Sequence, residues 1–222
     1  MSRPDGTTPT PPAPSPSAPA AGPGRRDPPG GNDREGWIAS PAMLFGNWGA
    51  TTDEIGGSVV GDDLCGDART VATRCVTITA PPAEVFPWIR QMGFGRGGWY
   101  SYDWLDNLGR PSATAVHPEW QDVVAGSSVP GGPASFLAAV VDPPRAFVLQ
   151  FGRPGGRLCF TLAYELRPHP VGARLVTRMR TRIRVPGGFL IERGFLGPGD
   201  GLMVRRQLRT LVHRAGATPR SP

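Results

Sequence analysis

The stretch RLVTRMRTRIRV, residues 174–185, and the stretch GLMVRRQLRTLVHRA, residues 201–215, together decide the fold. In the first, Leu175, Thr177, Met179, Thr181, Ile183 and Val185 alternate with Val176, Arg178, Arg180, Arg182 and Arg184. A period of two with one apolar face predicts a half-buried antiparallel strand. In the second, Val204, Leu208, Leu211, Val212 and Ala215 recur at three- and four-residue steps, with Arg205, Arg206 and Arg209 off that stripe. This is an amphipathic helix with Asp200 as N-cap and Gly216 as C-cap. A sheet with one apolar face needs a cover, and the final helix supplies it, so the class is α+β. The arginine row of the strand reads as a solvated face, or else as an anion-binding stripe.

Working back along the chain, three further strands are predicted at Ser135 to Val141, Arg145 to Phe151 and Leu158 to Leu166. Pro143-Pro144 and His169-Pro170-Val171-Gly172 mark turns between strands. Another strand at Val71 to Thr79 shows the same alternation in CVTIT, residues 75–79. APPAEVFPWIRQMG, residues 80–93, predicts a helix with prolines in its first turn, an apolar face of Val85, Trp88, Ile89 and Met92, and Gly93 as C-cap. Thr51 to Asp67 reads as a polar loop, and Gly109 to Pro133 as mostly loop. Trp37 to Gly49 reads as a short helix or a strap over the core. Gly187 to Gly201 is broken by Gly and Pro around a short apolar turn at Phe189 to Ile191.

Between the first helix and the later strands lies GRGGWYSYDWLDN, residues 95–107. Trp99, Tyr100, Tyr102 and Trp104 fall within six positions, in a chain that is 8% aromatic. Such rings line apolar surface and still place hydrogen bonds through phenol and indole groups. Tyr102 to Leu108 is predicted as a short helix capped by Ser101 or Asp103. The glycines of GFGRGG, residues 93–98, follow a helix where a nucleotide-binding loop would follow a strand, so that motif is set aside.

The pieces WGATTDE (residues 48–54), APPAEVFPWIRQMG, GRGGWYSYDWLDN, PEWQD (residues 118–122) and MVRRQLRTLVHRAG (residues 203–216) resemble the START-like superfamily. This is also called SRPBCC and includes polyketide cyclases and the birch pollen allergen fold. The nearest resemblance is to a branch of mostly uncharacterised bacterial members, over residues 45–216. It implies a helix-grip fold, a curved antiparallel sheet wrapped around a long C-terminal helix, enclosing a cavity for lipids, sterols or polyketides. It does not imply one reaction, because function lives in the site and not in the fold. Carried over by position, Trp99, Tyr100, Tyr102 and Trp104 border that cavity. The ligand-binding set expected from these readings also contains Trp120, Thr177, Met179, Thr181, Met203 and Leu208.

Composition bounds the rest. The chain has 222 residues, with 31 Gly and 27 Pro. Residues 1–36 hold ten prolines and almost no large apolar residue, so they are expected to be disordered, as are residues 218–222. The helix-grip domain is expected over 37–217. No signal peptide or transmembrane stretch is read, and a cytoplasmic location is the default. Three scattered cysteines and three scattered histidines argue against a disulfide framework and against zinc, so no metal and no cofactor is expected. All basic residues are arginine. The net charge of +6 is polarised: zero over 1–36, −5 over 37–152 and +11 over 153–222.

Three functions compete. The first is binding of a small hydrophobic ligand in an internal cavity. The second is a cyclase- or dehydratase-type enzyme in that cavity. Its candidate acids and bases are Tyr102, Asp103 and Glu119, the last flanked by Pro118 and Trp120 and so open to desolvation. The bland alternative has Asp103 capping a helix and Glu119 pairing with an arginine. No nucleophile–base pair is visible. The third is binding of nucleic acid or an anionic surface through Arg178 to Arg184 and Arg205 to Arg209; nucleic acid is not the expected partner.

Overall fold

The structure, a computed structural model, describes residues 46–191 and 197–217. The chain divides into Met1–Ile38 and Ala39–Pro222, and everything below concerns the second unit. The predicted tails at 1–36 and 218–222, and the strap at residues 37–45, lie outside the described residues.

Six strands form one antiparallel sheet: β1 (Thr70–Ile78), β2 (Ser128–Pro130), β3 (Ser135–Asp142), β4 (Ala146–Gly152), β5 (Leu158–His169) and β6 (Gly172–Ile183). Their spatial order is β1-β6-β5-β4-β3-β2, so only β1 leaves its place in the chain sequence. It pairs along its whole length with β6, from Thr70 opposite Thr181 to Ile78 opposite Ala173. Among the described residues, five helices accompany the sheet: α1 (Thr52–Gly56), α2 (Pro82–Arg90), α3 (Asp103–Asp106), α4 (Gly188–Ile191) and α5 (Gly197–Gly216). Short 3₁₀ turns occupy Asp62–Cys65 and Pro118–Trp120. Long α5 packs on β1 and α2, gripped by the curved sheet, and the class is α+β helix-grip.

The inner face of the sheet and α5 share one apolar core. Leu175 and Met179 of β6, Leu162 and Tyr164 of β5, and Phe147 and Leu149 of β4 meet Val204, Leu208, Leu211 and Ala215 of α5. Helix α2 adds Val85, Phe86, Trp88 and Ile89. Leu175, Met179, Val85, Trp88, Ile89, Val204, Leu208, Leu211 and Ala215 among them are residues that the strand and helix periodicities selected.

The outer face is where expectation and structure part. Residues 51–67 are not a free loop. They form a cover over a second apolar cluster, in which Val59 meets Cys75, Val148, Ala163 and Val176, with Val60 and Leu64 alongside. Helix α1 begins with a capping box: Glu54 N–H donates to Thr51 Oγ1 (3.2 Å) and Thr51 N–H donates to Glu54 Oε2 (2.8 Å). The Thr-x-x-Glu spacing carried that signal in the sequence.

The arginine row of β6 holds this cover down and is not a solvated face. Arg174 forks onto both oxygens of Glu54 (2.7 and 2.8 Å) and donates to the Gly49 carbonyl (2.6 Å). Arg178, only 3% exposed, donates to Asp62 (2.7 Å), to the carbonyls of Glu54, Ile55 and Gly57, and to Thr73 Oγ1. Arg180 donates to the Cys65 carbonyl (3.0 Å) and stands 3.6 Å from Asp62, while Arg184 pairs with Asp67. The residues that alternate away from the core thus meet the acids of the preceding segment.

Several element ends also shift. Strand β2 forms inside the stretch read as loop. Helix α2 ends with Gln91 as its C-cap, two residues before Gly93, and Pro87 is its sixth residue, past the first turn. Helix α5 starts at Gly197, so Asp200 stands inside its first turn and not ahead of it. Strand β6 ends at Ile183, short of Val185.

Removing one partner of a buried, hydrogen-bonded charge leaves the others desolvated and unmatched, at about 3–5 kcal/mol. Arg178→Ala is expected to lose stability on that scale in chemical denaturation. Arg145→Ala, which breaks the exposed i,i+3 pair with Asp142, is expected to lose no more than about 1 kcal/mol.

Candidate functional site

The aromatic segment is fixed by two buried glutamines. Gln91, at the end of α2, donates its Nε2 to Tyr100 Oη (2.7 Å) and to the Ala115 carbonyl (3.0 Å), and its Oε1 accepts from His117 N–H (2.9 Å). Gln207, on α5, donates to the Trp99 carbonyl (2.9 Å) and accepts from Tyr164 Oη (2.9 Å). Each therefore ties an aromatic residue to a helix through groups that water does not reach.

The local backbone has its own demand. Gly98 sits at φ +73, and a Cβ there would run into Ser112. Tyr100 adopts φ +57, an uncommon conformation for a residue with a side chain, and its N–H donates to Ser112 Oγ (3.1 Å). Ser112 is in turn held by both oxygens of Asp103. Burial pushes the Tyr100 hydroxyl up to about 12, so it stays protonated and works as a hydrogen-bonding strut.

Tyr102, next but one, turns toward α5. Arg206 Nε donates to the Ser101 carbonyl (3.0 Å), Ser101 Oγ donates to the Met203 carbonyl (3.1 Å), and the Arg206 guanidinium lies 5.0 Å from the Tyr102 ring centre. Between this segment, α2, the 114–116 loop and the solvent-side face of α5 lies an open groove of about 1130 Å³. One wall carries Trp88, Tyr102, Ala115 and Val116; the other carries Leu202, Arg205, Arg206, Arg209, His213 and Arg214. The α5 residues of this wall are spaced so as to lie opposite its buried stripe of Val204, Leu208, Leu211 and Ala215.

Of the ligand-binding set read from the sequence, Tyr102 is the residue that this groove brings in. Thr177, Met179 and Thr181 are fully buried on the sheet beneath α5, and Leu208 is fully buried on the inner side of α5; the hydroxyls of Thr177 and Thr181 have no hydrogen-bond partner among the described residues. Trp99 is buried against Phe136, at 5.7 Å between ring centres. Met203 is half-buried and engaged through its carbonyl. Trp120 stacks on His117 at 4.4 Å. Trp104, at 72% exposed, projects from α3, a single turn, together with exposed Leu105 and Leu108, and none of the described residues covers that side.

The candidate acids also resolve. Asp103 anchors Ser112; the residue that precedes α3 is Tyr102, with no side-chain cap. Glu119 is 62% exposed beside His117, and its carboxyl is lowered by its own backbone N–H and by that histidine. It is solvated, not desolvated, and it pairs with a histidine, not an arginine. The perturbed acid is one that sequence reading passed over: Asp106, whose two carboxylate oxygens are buried without a partner. Burial first, and then the nearby Asp103 charge, push it up to about 6. Cys65, Cys75 and Cys159 are free and buried, and burial raises Cys65 and Cys75 to about 12. Among the described residues, no cluster of His, Cys, Asp and Glu is arranged to hold a metal, and no helix is long and apolar enough to cross a membrane.

No family model matches the chain, and no curated protein matches it. Solved structures do. A Mesorhizobium loti protein is 14% identical, over 68% of this chain and all of its own, at a TM-score of 0.43. A polyketide cyclase-like protein from Corynebacterium glutamicum is 16% identical, over 65% and 88%, at 0.33. The di-domain ARO/CYC protein StfQ of the steffimycin biosynthetic pathway is 12% identical, over 65% of this chain and 50% of its own, at 0.39. Structures similar to this chain thus include one described as polyketide cyclase-like and one described as ARO/CYC. At these TM-scores the helix-grip assignment stands on the strand order and helix placement of the chain itself.

Asp106 makes a signed pH prediction. A carboxyl whose folded value lies above its ordinary 3.8 disfavours folding while it is ionised, fully so above about 6. Asp106→Asn is therefore expected to raise the thermal midpoint at pH 8, with the gain shrinking as pH falls through 6 toward 4.

Proposed function

We propose that the protein binds a small hydrophobic ligand, of lipid or polyketide-like size, in the groove beside α5. The observation that carries this reading is the groove itself. Its volume of about 1130 Å³ is at the upper end of what small-molecule pockets enclose, and an indole, a phenol and aliphatic side chains flank it. Tyr102 is clamped to α5 by the Ser101 and Arg206 hydrogen bonds, so that wall is pre-organised and little ordering is needed on binding.

Turnover in the same groove, of cyclase or dehydratase type, is the second reading. It has one supporting observation: Tyr102 and His213 both line the space. No aspartate or glutamate stands among the described lining residues, and Asp103 and Glu119 are engaged elsewhere. Proton transfer there would fall to Tyr102 and His213.

The test is a titration with a neutral environment-sensitive dye, Nile red, displaced by straight-chain alcohols of increasing length. Each methylene that enters an apolar site gains about 0.8 kcal/mol, so affinity is expected to rise about fourfold per carbon until the groove is full. Val116→Trp fills the groove from a part-exposed loop position and is expected to weaken binding at least tenfold with the thermal midpoint unchanged. Displacement that does not depend on chain length, or that Val116→Trp leaves untouched, would overturn the assignment.

A further inference from the structure

The arginines of β6 and those of α5 are treated in opposite ways by the fold. Arg174, Arg178, Arg180 and Arg184 each meet a carboxylate of the segment that covers the sheet. Arg205, Arg206 and Arg209 meet none among the described residues. They are held over aromatic rings instead: Arg205 and Arg209 lie 5.1 and 5.9 Å from the centre of the Trp48 ring, and Arg206 lies 5.0 Å from that of Tyr102.

That mode of support has a chemical consequence. A guanidinium presents two faces and an edge. Stacking occupies a face, while every N–H lies in the plane and points along the edge. Beside the Trp48 ring, Arg205 and Arg209 make no hydrogen bond to an oxygen acceptor among the described residues. Arg206 uses its Nε, which donates to the Ser101 carbonyl, and keeps its terminal nitrogens. Arg205 Nε is buried and has no acceptor among the described residues. Four ring-supported arginines line one groove, the fourth being Arg214 at 5.3 Å from the centre of the Tyr100 ring, and His213 joins them, with no acid among the described lining residues. Like charges at that spacing repel each other, and an anion relieves the repulsion.

We infer that the ligand is an amphipathic anion: an apolar body against Trp88, Val116 and Leu202, and a carboxylate or phosphate head on the edges of Arg205, Arg206 and Arg209. Bidentate N–H···O bonds from a guanidinium fork fit either head. The inference rests on the groove being the ligand site, and it adds that a purely neutral ligand leaves the strongest binding groups unused.

The experiment compares dodecanoate, dodecyl phosphate and dodecanol, equal in chain length, by displacement of Nile red at low and moderate salt, with inorganic phosphate as a fourth probe. One or both anionic amphiphiles are expected to bind at least tenfold more tightly than the alcohol, with an advantage that shrinks as salt rises. In the Arg205→Gln/Arg209→Gln double variant the ratio of anion to alcohol affinity is expected to fall toward one. Arg153→Gln, which removes the same kind of charge from an exposed loop, is expected to leave that ratio as it was. Thermal melting confirms that each variant is folded. If dodecanol binds as well as the anions, the inference is overturned while the hydrophobic-ligand reading stands. If inorganic phosphate binds as tightly as the amphiphiles, the site takes a bare anion and the inference is equally overturned. If no twelve-carbon probe binds, the groove is not the ligand site and both readings fall.

Discussion

The guanidinium of Arg178 sits almost without solvent contact between the sheet and the segment that covers it, and the rest of the outer face is arranged around it. Five acceptors surround it: a carboxylate oxygen of Asp62, a threonine hydroxyl and three main-chain carbonyls. A charge is tolerated in such a place only when its donors are met, and here the acceptors come from both sides of the contact. The carbonyls of Glu54, Ile55 and Gly57 are those that the end of α1 leaves without intrahelical partners, so one side chain settles two shortages. Arg174 and Arg180 repeat the arrangement on either side.

This covering of both faces determines where a ligand is able to lie. The space beneath α5 is filled by Met179, Leu208, Phe147 and their neighbours, all at or near zero exposure. The far side of the helix cannot join that core, because its period of 3.6 turns the arginines outward. What remains is the angle between that polar side, α2 and the loop that Gln91 holds through Ala115 and His117. The groove follows from the packing requirements of its walls.

The periodicities made much of this legible. Strand alternation placed Met179 and Leu175 on the inner face, and the α5 stripe named Val204, Leu208 and Leu211. A period says which side of a sheet a residue takes. It does not say what will lie against that side, and so the destination of the β6 arginines was hidden. The acids that meet them lie more than a hundred residues earlier, in a stretch whose glycines read as loop. One local sign was present, the Thr51 and Glu54 pair that caps α1. The aromatic cluster was correctly singled out as a concentration, yet its members divide among core, groove and solvent: Trp99 inward, Tyr102 into the groove, Trp104 outward. That division depends on the left-handed turn at Tyr100, which residue type alone does not announce. Glu119 was judged by its apolar neighbours in the chain, whereas solvation depends on neighbours in space.

The covering segment has a consequence for the order of assembly. Its residues leave the ribosome before any strand exists, and the arginines they join follow 115 to 120 positions later. Until β6 is synthesised, a nascent chain carries Glu54, Asp62 and Asp67 without the arginines that pair with them, and the apolar Val59, Val60 and Leu64 without Val176, the β6 member of their cluster. Strands β3 to β5 pair from neighbour to neighbour as they appear, but the outer seal closes only once β6, the last strand, is complete. Protein truncated ahead of β6 therefore has none of the arginines of its clasp and leaves β1 without the strand it pairs with.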